Sequence, residues 1–80
     1  MNAAAHWESI FKEKVKKYRS DMHAMPNAYL RRTRFVELLR QIAAEGDPEG
    51  RHIDMDALLL ARLDDDEATE VFVACERWYS

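Results

Sequence analysis

An 80-residue chain with 48% apolar and 34% charged residues is sized for one domain and has too much apolar content for a disordered segment. Its single cysteine, Cys75, excludes an internal disulfide and with it a small disulfide-stapled secreted fold. The net charge of −3 is unevenly divided: residues 1–40 carry nine Lys and Arg against four Asp and Glu, and residues 41–80 carry three against eleven.

That division has two readings. The halves pack together and their surface charges meet, or each half presents its charge to a partner. No leader-like segment is read at the N-terminus, and the longest apolar run, Ala57 to Ala61, falls far short of the ~20 residues that span a bilayer. A cytoplasmic protein without membrane association is therefore expected. Only two glycines and two prolines are present, and three of the four lie between Gly46 and Gly50. The rest of the chain has few helix breakers.

A first helix is predicted over residues 3–24. Trp7, Ile10, Phe11, Val15, Tyr18, Met22 and Met25 recur at steps of three and four, which lines one face of a 3.6-residue period. Pro26 disfavours helical geometry at Met25 and ends this element. Asn27 then caps a second helix over residues 28–45, with Phe35, Leu38, Leu39 and Ile42 as its inner face and Gly46 as a left-handed stop.

Residues 47–52, with Pro48 and Gly50, read as a polar loop. Asp54 is the expected cap of a short third helix over residues 55–63, with Ile53 stapled on Leu58. Asp64 with Glu67 resembles a capping box for a fourth helix over residues 65–79. In that helix Val71, Phe72, Cys75, Trp78 and Tyr79 share a face. Val71-Phe72-Val73 has strand propensity, but a helix separates Glu70, Glu76 and Arg77 from the apolar residues better. The expected fold is an all-α bundle of three to four helices spanning residues 1–80 as a single domain, the first two forming an antiparallel hairpin.

The sequence holds little that suggests catalysis. Cys75 sits on an apolar face without a histidine at helical offset, which is the setting of a small buried hydrophobe. His6, His23 and His52 are too far apart to pair as metal ligands on one helix. Two glycines cannot build a phosphate-binding loop. Neither a catalytic set, a cofactor nor a metal is expected.

What could bind a partner is charged or aromatic. Arg31, Arg32 and Arg34 lie at the start of the second helix beside Tyr29 and could meet phosphates or carboxylates. Asp64, Asp65, Asp66 and Glu67 form a negative run that could steer towards a basic surface. Trp78 and Tyr79 are of the residue types that dominate binding hot spots. The function expected is that of a small non-catalytic regulatory, adaptor or inhibitory protein that binds another protein, one that itself handles nucleic acid among the candidates. Direct DNA or RNA binding through the basic first two helices is the alternative. A second copy of the chain is a further candidate partner, since small helical cores are readily completed by dimerisation.

Overall fold

The computed structural model describes residues 3–76, and the surroundings of side chains from 6 to 75. Four helices follow one another: α1 (Ala3–His23), α2 (Ala28–Ala44), α3 (Pro48–Leu63) and α4 (Asp66–Glu76). Every regular element among the described residues is helical, and the Val71–Val73 stretch lies inside α4. No helix among them is long and apolar enough to cross a membrane.

The helix boundaries have local causes. Asn27 caps α2, its side chain accepting a hydrogen bond from the Leu30 amide at 2.9 Å. This answers one of the donors left open at a helix start. Gly46 follows α2 at φ +75, the left-handed conformation that glycine adopts without a Cβ penalty.

The start of α3 departs from expectation. The helix begins at Pro48, and Asp47 is its cap, not Asp54. Proline is tolerated at a first helical position because its missing N–H would have no partner there. Asp47 accepts from the Gly50 amide at 2.6 Å. A Cβ on Gly50 would lie 3.0 Å from that carboxylate, so glycine makes room for the cap. Ile53 and Asp54 thus lie within the helix, with Ile53 packed against the core.

The α3–α4 junction is also shifted by one residue. Asp64 ends α3 in the left-handed region at φ 56, its amide donating to the Leu60 carbonyl. Aspartate enters this region more readily than most side chains. Asp65 carries the next cap, accepting from the Ala68 amide at 3.0 Å. The expected Asp64–Glu67 capping box is not formed, because the capping carboxylate belongs to Asp65 and position three beyond it is Ala68.

The core is built around α1. Phe11, Val15, Tyr18 and Met22 are buried along one face of it. They meet Ala57, Leu58, Leu60 and Ala61 of α3, Leu38 and Ile42 of α2 and Val73 of α4. Trp7 stacks on Phe11 with centroids 5.0 Å apart, and Phe11 stacks on Phe72 at 5.5 Å. The α1 stripe is as read from the sequence except for Ile10, which is an exposed residue.

The α4 face is not as read. Thr69 and Val73 are buried, Phe72 is half-buried, and Val71 and Cys75 are exposed. Thr69 tolerates burial because its hydroxyl donates to the Asp65 carbonyl at 3.0 Å. The buried stripe of α4 is therefore rotated towards Thr69 and Val73. Cys75 is exposed on the outer side, and the expectation of a buried thiol is corrected.

Ion pairs join the oppositely charged halves. Lys12 meets Glu70 at 2.9 Å, Lys14 meets Asp54 at 2.8 Å, and Arg19 reaches Asp64 at 2.9 Å and Asp66 at 3.0 Å. The pairs Arg19–Asp66 and Lys12–Glu70 show that α4 runs back along α1. Across the turn at residues 24–27, Arg34 grips Asp21 with two hydrogen bonds, of 2.8 Å and 2.9 Å. The pair is 13 residues apart in sequence and ties the end of α1 to α2.

Two measurements test these assignments. Asp65→Ala should lower unfolding free energy by about 1 kcal/mol, while Glu67→Ala should stay within about 0.5 kcal/mol of the parent, both by urea denaturation. The reverse ranking would restore the capping box.

The second measurement concerns pH. The Arg34 hydrogen bond holds Asp21 below the ordinary carboxylate range, against a smaller opposing effect of burial, with the charges of Arg34 and Lys17 adding to the lowering. A carboxylate whose pKa is lowered by folding stabilises the protein above its unfolded pKa of about 4. That contribution is lost as pH falls through the lower, folded value. Because both side chains are partly solvated, Asp21→Asn should cost only about 0.5–1 kcal/mol at neutral pH. The gap between parent and variant should close in thermal melts at acid pH. A gap independent of pH would show that the carboxylate charge contributes nothing.

Candidate functional site

The arginines expected to meet a partner have unequal freedom. Arg34 is bound to Asp21 and also reaches Glu37 at 3.2 Å; the Asp21 hydrogen bond is the main reason its pKa is raised. Arg31 is half-buried, and its Nε is buried without a hydrogen-bond partner. Arg32 is exposed. With Tyr29, which is 75% exposed, and Arg40, it lies along the outward side of α2, since residues 29, 32, 36 and 40 repeat at helical spacing. Neither Arg32 nor Arg40 has an ion-pair partner among the described residues. The structure therefore does not gather Arg31, Arg32 and Arg34 into one patch.

The acidic run is likewise divided by its structural duties. Asp64 faces Arg19 and lies 3.2 Å from His23 Nε2, and Asp66 faces Arg19. Asp65 caps α4. Glu67 is exposed, with no ion pair among the described residues. Trp78 and Tyr79 lie outside the described residues.

One apolar feature of the surface was not isolated by the sequence reading. Leu63 near the end of α3 and Val71 on α4 are 65% and 64% exposed, and they line one groove with Leu60, Ala68, Phe72 and Cys75. Leu59, half-exposed one turn before Leu63, extends the apolar surface along α3. Asp65 and Glu67 complete the lining, and no basic residue among those described contributes to it.

Local structure explains why these side chains stay outside. The helix break at Asp64 and Asp65 sends α4 back along α1. There Thr69 and Val73 turn inward, and Val71 and Cys75, two positions away from each, turn outward. The signal in the sequence was the spacing of Thr69, Phe72 and Val73. That spacing competes with the Val71–Cys75 spacing, and the Thr69 hydroxyl tolerates the buried side because it donates to the Asp65 carbonyl.

A second concavity lies where α1, α2 and the first turns of α3 meet. Leu38 and Ile42 form its apolar wall, and Lys14, Tyr18, Asp21, Arg34, Arg51 and Asp54 supply most of its polar groups. These groups largely satisfy one another. Lys14 pairs with Asp54, Arg34 with Asp21, and Arg51 donates to the Ala43 carbonyl at 3.2 Å. Tyr18 has a raised pKa, first through burial and then through the charge of Asp54 and a hydrogen bond to it. The cleft is an ion-paired seam between helices.

Among the described residues, no three of His, Cys, Asp and Glu converge in a way that could hold a metal ion. His52 sits 3.2 Å from Asp56 one turn on in α3, with its own side chain exposed. Compared with models of protein families, with curated proteins and with solved structures, this chain matches none.

Proposed function

We propose that this chain is a small non-catalytic protein of the cytoplasm, regulatory, adaptor or inhibitory in role, that acts by binding another protein through the groove between α3 and α4. One observation carries this reading. Leu63 and Val71 stand side by side with almost two thirds of their surfaces exposed, in a chain whose other apolar residues largely form a single core. Adjacent exposed apolar side chains bordered by polar ones mark interaction surfaces, whereas isolated ones do not. The acidic rim adds orientation and partner choice more than affinity.

Binding of DNA or RNA through the first two helices is the second reading. It draws on Tyr29, Arg32 and Arg40 on the outward side of α2, an aromatic with two cations that have no internal carboxylate. It is the weaker reading because Lys12, Lys14, Arg19 and Arg34 are engaged with carboxylates of the same chain. Phosphate recognition depends on cations free to displace counterions.

The test is a paired capture from the native host. Tagged parent and a Leu63→Asp/Val71→Asp variant are compared by quantitative mass spectrometry. The substitutions fall on exposed positions, so melting temperature should change little. A defined protein retained by the parent and depleted at least about tenfold, roughly 1.4 kcal/mol, by the folded variant supports the reading. Equal retention, or no specific protein on either, overturns it. A gel shift that weakens steeply with salt and on Arg32→Ala/Arg40→Ala would put the second reading in its place.

A further inference from the structure

The α3–α4 groove constrains the chemistry of what can fill it. Resting on the reading that this groove is a binding surface, we infer that its occupant is an amphipathic helix of another protein, apolar on one stripe and basic along its flanks.

Three observations converge on that partner. The first is shape. The apolar floor comes from two helices, Leu60 and Leu63 on α3 and Ala68, Val71, Phe72 and Cys75 on α4. Side chains at such three- and four-residue steps form ridges with a furrow between them. A third helix fills that furrow with anchors at i, i+3, i+4 and i+7.

The second is unfilled packing. α4 is held to the body on one side, by Val73 in the core, Phe72 on Phe11 and Glu70 on Lys12. Its Val71 and Cys75 side faces nothing within the described residues that covers it. Among the described residues, α4 therefore presents apolar side chains on a side that no third helix packs against.

The third is charge. Asp65 and Glu67 border the floor, and no cation among the described residues lines it. Asp65 caps α4, and Glu67 is exposed with no ion pair among the described residues. A partner with acidic flanks would bring like charges together beside a surface that excludes water as it closes, which is costly. A partner with Lys or Arg beside its apolar stripe gains steering and register from the same two carboxylates.

The measurement is a titration of the isotope-labelled full chain with two synthetic helical peptides of about 18 residues, followed by nuclear magnetic resonance. Both carry the same leucine stripe; one is flanked by Lys, the other by Glu. The Lys-flanked peptide should bind saturably and shift the Leu60, Leu63, Val71 and Cys75 resonances most. It should bind at least about tenfold tighter than the Glu-flanked peptide, with a preference that shrinks as salt rises. Glu67→Lys, at an exposed position, should cut the preference several-fold without changing the melting temperature.

Equal binding of both peptides at these residues overturns the basic partner and leaves the groove as a binding surface. No shift at these residues with either peptide overturns the helical partner, while the paired capture with Leu63→Asp/Val71→Asp judges the groove separately. Shifts that track protein concentration without peptide, together with a dimer mass in sedimentation, assign the groove to a second copy of this chain and overturn the inference.

Discussion

The contact between α1 and α3 is the one on which the remaining structure depends. Ala57 and Ala61, one turn apart on α3, are almost wholly buried, with Leu58 between them also buried. Small side chains at a helix crossing let the two axes approach closely. Leu58 can then lie among Phe11, Val15 and Tyr18 in a shared cluster. In a domain of this size the surface buried on folding is limited, and stability rests on few residues. The close crossing gathers the apolar groups of three elements around one helix. α2 contributes Leu38 and Ile42 to the cluster, and α4 contributes Val73.

Charge follows the same geometry. The basic side of α1 lies along the acidic second half of the chain, so Lys12, Lys14 and Arg19 meet Glu70, Asp54, Asp64 and Asp66. Pairs this exposed contribute little stability each. Their effect is directional: they favour one placement of α3 and α4 on α1 over placements that would set like charges together. Arg19 is the most informative of them. It reaches the residue that ends α3 and the first residue of α4, and so holds the bend between the helices against α1. The uneven charge distribution along the sequence is thus answered in part within the molecule. Exposed charges outside these pairs remain on several helices, among them Glu13, Lys16, Lys17, Arg32, Arg40 and Glu67.

The helical class, the four-helix order, the Asn27 cap, the Gly46 stop and the α1 core stripe could all be read from the sequence. Each depends on local chemistry or on a long, regular period. The errors cluster where two local signals compete. Pro48 and Gly50 suggest a loop, yet Asp-Pro-Glu is also a cap followed by a proline at a first helical position, and the apolar residues further along α3 favoured the helix. Asp64 and Asp65 are chemically equal as caps. Only the left-handed turn that ends α3 decides that Asp64 closes one helix and Asp65 opens the next. The face of α4 could not be chosen from periodicity, because burying Thr69 requires an intrahelical acceptor that no hydropathy pattern shows. The candidate site was missed for that same reason. With Val71 and Cys75 assigned to the core, the sequence pattern leaves no exposed groove, and of the charged residues it points to, Arg34, Asp64 and Asp66 are held in ion pairs.

That rotation of α4 also links the fold to its exposed surface. Only Asp64 and Asp65 separate α3 from α4, so the chain must reverse within two residues. A reversal this short brings the end of α3 close to the start of α4, but α4 cannot bury opposite faces against two neighbours at once. It lies against α1, where Phe72 reaches Phe11 and Glu70 reaches Lys12, and its face beside Leu63 is left open among the described residues. Were the Val71–Cys75 side turned inward, Thr69 and Val73 would face outward and the Glu70–Lys12 pair would be broken. The open groove is therefore a consequence of how the charged and apolar groups of α4 are arranged around its axis. A ligand that fills it adds apolar contact without displacing any of the described residues, and it stabilises the folded state by an amount that grows with its concentration relative to Kd.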